Sequence, residues 1–277
     1  MGIEDTEEVE QFKEIKTMKK ILFFVSIAAI AVISSCSKNN VVPESDVQTV
    51  KIAAALPDVV RTHLDNLACK WSEGDQIVVN GETSTSIDIK GDGSYATFTL
   101  PVVDAPYCGL YPASAYVAGS YDPANSKYGS VTLPATQNYT AGSYDPAVAI
   151  LLGKQETAGN GIGFANAMAY LKFTVNAGTT TANIKSIQLE SYGSENLSGT
   201  FTIDANYTTL TNTGKTKTPV TLNCGESGVA LGTSMIIAIP AKTYAQGFSI
   251  KIVDVEGKYQ VAKTSVEFVA AAGTIYP

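Results

Sequence analysis

The chain has 277 residues, of which 16% are Asp, Glu, Lys or Arg, and its formal net charge is -7. An acidic balance argues against nucleic acid as a partner, because phosphate backbones are held by clustered Lys and Arg. A charged fraction below the usual ~25%, with abundant Gly, Ser and Thr, fits an extracellular β-protein with many turns.

Taken in order, residues 1–17 carry Glu4, Asp5, Glu7, Glu8, Glu10 and Glu14. That charge is wrong for the start of an export signal. Translation is expected to begin at Met18, with 1–17 a mis-assigned start. Lys19 and Lys20 then precede an apolar run from Ile21 to Ile33. The run falls short of the roughly 20 apolar residues that a membrane-spanning helix needs, but it suits the middle of a secretory signal. It closes on Ile33-Ser34-Ser35-Cys36, which resembles a bacterial lipobox. Residues 18–35 therefore read as a lipoprotein signal peptide, with Cys36 the lipidated residue after cleavage. Residues 36–47 are polar and read as a tether.

Val50, Ile52, Ala54 and Leu56 alternate as one face of a strand that Pro57 ends. The only arginine, Arg61, and the only histidine, His63, follow. His63 has no recognisable nucleophile beside it and reads as a loop residue. Asn80-Gly81 marks a hairpin, and Gly91-Asp92-Gly93 marks another between Ile87/Ile89 and Phe98/Leu100. Four cysteines occur, at 36, 69, 108 and 224, without a CxxC spacing. That gives no support for a metal or redox site, and free buried thiols are the simpler state.

Residues 107–144 hold half of the 14 tyrosines, and AGSYDPA occurs at 118–124 and again at 141–147. Each Asp-Pro predicts a turn, so the two copies are expected to form equivalent loops. Tyr116, Tyr121, Tyr128, Tyr139 and Tyr144 are candidates for a binding surface, since an exposed ring stacks on sugars and its hydroxyl bonds to them. Packing along the edges of a sandwich is the competing and preferred use of the same rings.

Gln155–Gly163 is Gly-rich and polar without the spacing of a phosphate loop, and reads as a linker with a domain boundary near 160. Beyond it, strands are predicted at 171–175, 184–189, 199–203, 220–222, 235–239, 248–255, 259–262 and 265–269. Past the export signal no segment has a helical period. The fold class is all-β, in two sandwich domains over 48–160 and 161–277.

Several segments, in order, carry a resemblance. They are the lipobox at Cys36, Arg61-Thr62 ahead of Trp71-Ser-Glu-Gly-Asp75, Leu110-Tyr-Pro112, Leu133-Pro-Ala-Thr-Gln137, Phe164 through Phe173, Leu197-Ser-Gly-Thr-Phe201, and Gly273-Thr-Ile-Tyr276. Together they resemble the fimbrillin-like lipoproteins, the type V pilus subunits of anaerobic gut and oral bacteria. The resemblance implies two tandem transthyretin-like β-sandwiches and a lipid anchor in the outer membrane. It also implies cleavage at Arg61-Thr62 that frees the first strand, and fibre growth by donor-strand exchange with other subunits or with itself. One departure is the tail after Val269, AAAGTIYP, which is short for a donor strand. A capping, anchoring or stand-alone role is therefore open beside a shaft role. A second departure is the absence of acidic residues just after Cys36, which leaves the leaflet of the outer membrane open. The expected function is non-enzymatic adhesion, with no cofactor and no metal. The alternative is a stand-alone surface lipoprotein that binds host glycan or protein through the tyrosines. An enzyme would need paired carboxylates, and Asp75, Asp122, Asp145 and Asp254 do not pair by spacing.

Overall fold

The computed structural model describes residues 48–57, 70–178, 181–204, 206–212 and 217–277. Cys36, Arg61, Thr62, His63 and Cys69 lie outside them. The described residues form strands and two short 3₁₀ turns, Ala113–Ala115 and Pro146–Val148, with no α-helix, so the expected all-β class holds.

In chain order the strands are β1 (Thr49–Ala55), β2 (Val78–Val79), β3 (Glu82–Thr83), β4 (Ser86–Lys90), β5 (Tyr95–Pro101), β6 (Tyr107–Tyr111), β7 (Tyr121–Asp122) and β8 (Lys127–Tyr128). Next come β9 (Val131–Leu133), β10 (Thr136–Asn138), β11 (Leu151–Gln155), β12 (Ile162–Asn166), β13 (Met168–Thr174), β14 (Ile184–Ser191), β15 (Gly199–Ile203) and β16 (Leu210–Asn212). The last are β17 (Val220–Asn223), β18 (Ser234–Pro240), β19 (Thr243–Tyr244), β20 (Phe248–Asp254), β21 (Tyr259–Lys263), β22 (Phe268–Val269) and β23 (Ile275–Tyr276).

The largest sheet has the order β3-β2-β6-β11-β12-β1-β5-β4. Its tight hairpin at Asn80-Gly81 works because both residues adopt positive φ, 53° and 89°, as a type I′ turn requires. A five-stranded sheet runs β10-β17-β14-β20-β21, and a three-stranded one runs β18-β13-β23.

Three apolar cores separate these layers. The first gathers Ile52, Ala54, Trp71, Phe98, Leu100 and Phe164 within the large sheet. The second gathers Leu110, Tyr128, Ile150, Met168, Phe201 and Ile236, and the third gathers Ile187, Leu189, Leu222, Ile237, Tyr244 and Phe248. Strands that divide two cores are buried on both faces. Along β13, Met168 and Tyr170 face the second core, while Ala169 and Leu171 face the third. Ile236 and Ile237 of β18 divide in the same way. Such strands read as continuous apolar runs, not as alternations.

The segment read as a linker is instead the turn of a hairpin. Leu151 pairs with Asn166 and Gly153 with Phe164 on either side of it. The chain changes sheet at Ala167, between β12 and β13, rather than near 160. Pairing also crosses that point, since β9 pairs with β15 and β10 with β17. Ser265–Val269 is strand only over Phe268–Val269.

Gly109 and Gly153 stand opposite each other on β6 and β11, and the Phe164 and Ile162 side chains lie over them. A Cβ on Gly153 would come within 2.4 Å of Ile162 Cγ2 and 3.0 Å of Gly163 O. Gly153→Ala is therefore expected to lower stability by about 1–3 kcal/mol, read as a fall in the urea midpoint at constant slope. An unchanged midpoint would mean that the large sheet relaxes more freely than this packing allows.

Candidate functional site

The first strand is the most distinctive structural feature among the described residues. β1 is the N-terminal strand of the described structure, yet it sits inside the large sheet. It pairs antiparallel with β5 along its full length, from Thr49 opposite Pro101 to Ala55 opposite Tyr95. On its other side it pairs parallel with β12, Ala54 opposite Ile162 and Ala55 opposite Gly163.

The sequence explains the seat. Alternation puts Ile52 and Ala54 in the core, while Thr49 and Lys51 stay exposed. Small side chains let neighbours close in, and a Cβ on Gly161 would approach Ala53 O to 2.9 Å. Trp71 Nε1 donates to Ala54 O at 3.3 Å, and Leu56 N donates to Ser94 O at 2.9 Å. Besides Ile52, Ala54 and the half-buried Val50, which packs against the same core, the strand is held by backbone hydrogen bonds. Arg61-Thr62 follows its end by a few residues, in a stretch outside the described residues.

The C-terminal tail has a seat of its own. Ile275 and Tyr276 of β23 pair parallel with Tyr170 and Leu171 on the edge of β13. Tyr276 Oη donates to Val269 O at 3.0 Å and accepts from Ala271 N at 2.9 Å, which folds the tail back on itself.

The candidate tyrosines point mostly inward. Tyr128 is 1% exposed, and its Oη donates to Cys108 O at 3.1 Å. That corrects its assignment to a surface: the ring belongs to the second core. Tyr116 and Tyr121 meet its ring at 5.5 and 5.3 Å between centroids. Both are half-buried against the same core, as is Tyr144, which stacks on Tyr170 at 4.3 Å. Tyr139 packs against the third core. Sequence reading missed Tyr207, which joins the cluster at 6.2 Å from the Tyr128 ring. It lies outside the Tyr-rich stretch, and no local pattern points to it.

The repeated heptapeptides share their local geometry. Gly119 and Gly142 take φ of 76° and 71°, and Asp122 and Asp145 each accept from the backbone N–H two residues on, at 3.0 Å. Their settings differ. Asp122 lies in the exposed β7–β8 hairpin, whereas Asp145 is buried and also accepts from Asn138 N at 2.7 Å.

The other acidic candidates close turns as well. Asp75 accepts from Ser72 N at 2.7 Å, and Asp254 accepts from Lys258 N at 2.9 Å. Among the described residues no three His, Cys, Asp or Glu side chains gather to hold a metal. Cys108 and Cys224 are free and buried, and burial pushes both thiols up to about 11, which leaves them protonated and unreactive near neutral pH.

No family model matches this chain, and no curated protein matches it. Among solved structures it is similar to a "putative cell adhesion protein" from Bacteroides uniformis, at 14% identity and a TM-score of 0.46, over 82% of this chain and 90% of that one. It is also similar to a fimbrial protein from Bacteroides ovatus, at 10% identity and a TM-score of 0.35, over 81% of this chain and 47% of that one. A third likeness is to the tip fimbrial protein Mfa3 from Porphyromonas gingivalis, at 11% identity and a TM-score of 0.31, over 78% of this chain and 80% of that one.

Proposed function

We propose that this chain is a non-enzymatic surface lipoprotein of fimbrillin type, whose working part is the seat of its first strand. Lipid on Cys36 would tether it to the outer membrane. Two transthyretin-like modules would follow, with the change of sheet at Ala167. Cleavage at Arg61-Thr62 would free β1 and open a groove between β5 and β12.

The observation that carries this reading is the position of β1. Taking β1 from the sheet leaves a full row of unpaired N–H and C=O groups along β5 and a short one on β12, along with the apolar sites of Ile52 and Ala54. Such an edge is a template for another chain, and a donated strand satisfies backbone and core together. The partners would be other pilus subunits or further copies of this chain. A stand-alone receptor for host glycan or protein would need outward tyrosines, and the inward packing of Tyr128 and its neighbours weighs against it.

The test is digestion of the full chain with an arginine-specific protease. The expected result is a single cut, release of a fragment that contains Val50–Leu56, and a ladder of assemblies on a gel. Arg61→Ala should remove both the cut and the ladder. A clean cut with β1 still bound and the protein still monomeric would overturn the proposal.

A further inference from the structure

One edge of the five-stranded sheet is exposed and ends the pairing among the described residues. β21 ends the strand order, and all of its residues, Tyr259 to Lys263, are exposed. Thr264 N donates to Phe248 O, and Asp254 N donates to Lys258 O. With Val261 opposite Lys251, that phase turns the backbone groups of Tyr259, Val261 and Lys263 away from β20. Native edges are usually blunted by Pro, by a bulge or by charge. This one has no Pro, pairs with β20 without a break in register, and carries its one charge at the end. Tyr259 is 64% exposed and Val261 47%, so the edge carries two large apolar side chains in solvent.

We propose that β21 docks on β21 of a second copy of this chain, antiparallel, about a two-fold axis through Val261. The sequence is self-complementary in that register. Val261 meets Val261 of the second copy, and Tyr259 meets Lys263 on either side of the axis. The outward residues exchange paired N–H···O bonds, since they occupy the hydrogen-bonding phase. Lysine over tyrosine is also the contact that this face already makes. Lys251 Nζ stands 4.8 Å from the Tyr259 ring centroid, and Lys263 Nζ stands 5.6 Å from that of Tyr192. Docking adds the same contact across each half of the interface. Charge selects the register too. Centred on Val261, each Lys263 faces a ring, whereas a pairing centred on Lys263 would set like charges opposite each other, which is destabilising.

One short strand pair buries less than the ~1,000 Å² of a stable interface. The contact is weak in dilute solution and gains strength where copies are crowded on a surface. It involves a different sheet from β1 and needs no cleavage.

The test uses the full chain in mild detergent with Cys36→Ala and Cys69→Ala. Val261→Cys should give a disulfide-linked dimer on mild oxidation, because opposed residues in a hydrogen-bonded pair lie about 5.5 Å apart at Cα, within disulfide reach. Asn223→Cys, on the same face but away from that edge, should stay monomeric. Val261→Lys should keep the thermal melt and reduce association at least tenfold in sedimentation velocity. Equal cross-linking of the two cysteine variants, or association unchanged by Val261→Lys, would overturn the proposal.

Discussion

Trp71→Ala should remove about 3–5 kcal/mol of unfolding free energy, the cost of truncating a large buried aromatic side chain. Trp71 is 4% exposed. Its ring meets Phe98, Tyr111 and Phe164 edge-on, at 5.0, 5.3 and 5.9 Å between centroids. Edge-to-face pairs contribute beyond the area they bury, so the loss exceeds that of an isolated apolar ring. The indole also donates to Ala54 O of β1, which links this residue to the strand at the centre of the functional proposal. Trp71→Phe separates the two effects. It keeps a ring and loses the donor, and about 1 kcal/mol is expected. The measurement is a urea titration followed by circular dichroism, since the chain has only one tryptophan. A loss under about 1 kcal/mol for Trp71→Ala would mean that the first core does not depend on this residue.

Gln137→Ala is the second large effect. Gln137 is 2% exposed and lies on β10 of the five-stranded sheet. Its side chain serves β18 of the neighbouring sheet: Nε2 donates to Ala238 O at 2.7 Å, and Oε1 accepts from Ala238 N at 2.9 Å. One amide thus replaces a missing strand at the edge of β18. Truncation leaves a buried donor and a buried acceptor unpaired, at about 1–3 kcal/mol each.

Gln137→Glu gives the argument a pH signature. A neutral carboxyl can still donate to Ala238 O, while a carboxylate cannot and would be buried beside a carbonyl oxygen. The folded-state pKa must then rise above the ordinary ~4.3. Stability is fully present below that value and is lost as pH rises through the folded pKa. The Glu variant should approach the wild-type midpoint near pH 4 and resemble Gln137→Ala near pH 8. A difference from wild type that stays constant across this range would show that Gln137 acts by shape alone.

What was legible in the sequence is what is encoded locally. β15 lies at Gly199–Ile203, where alternation placed it, and β14, β17, β18 and β20 lie within a residue or two of their predicted spans. The turns at Asn80-Gly81 and at the two AGSYDPA copies follow from residues that tolerate left-handed backbone or cap their own chain. The motif that predicts a lipid on Cys36 and the arginine at 61 are also local signals, but they lie outside the described residues.

Only the tertiary structure decided the rest. Gln137 and Ala238 stand 101 residues apart, and no local period announces such a pair. The break at Ala167 occurs inside one apolar run because β12 and β13 belong to different sheets. β13 and β18 are buried on both sides, so alternation could not assign their faces. Half of the tyrosines crowd into residues 107–144, but a ring's direction depends on which distant strand covers it. Tyr128 turned inward because residues such as Phe201 and Tyr207 close over it in the second core. A strand's existence follows from its own side chains, whereas its partners depend on contacts that only the folded chain brings together.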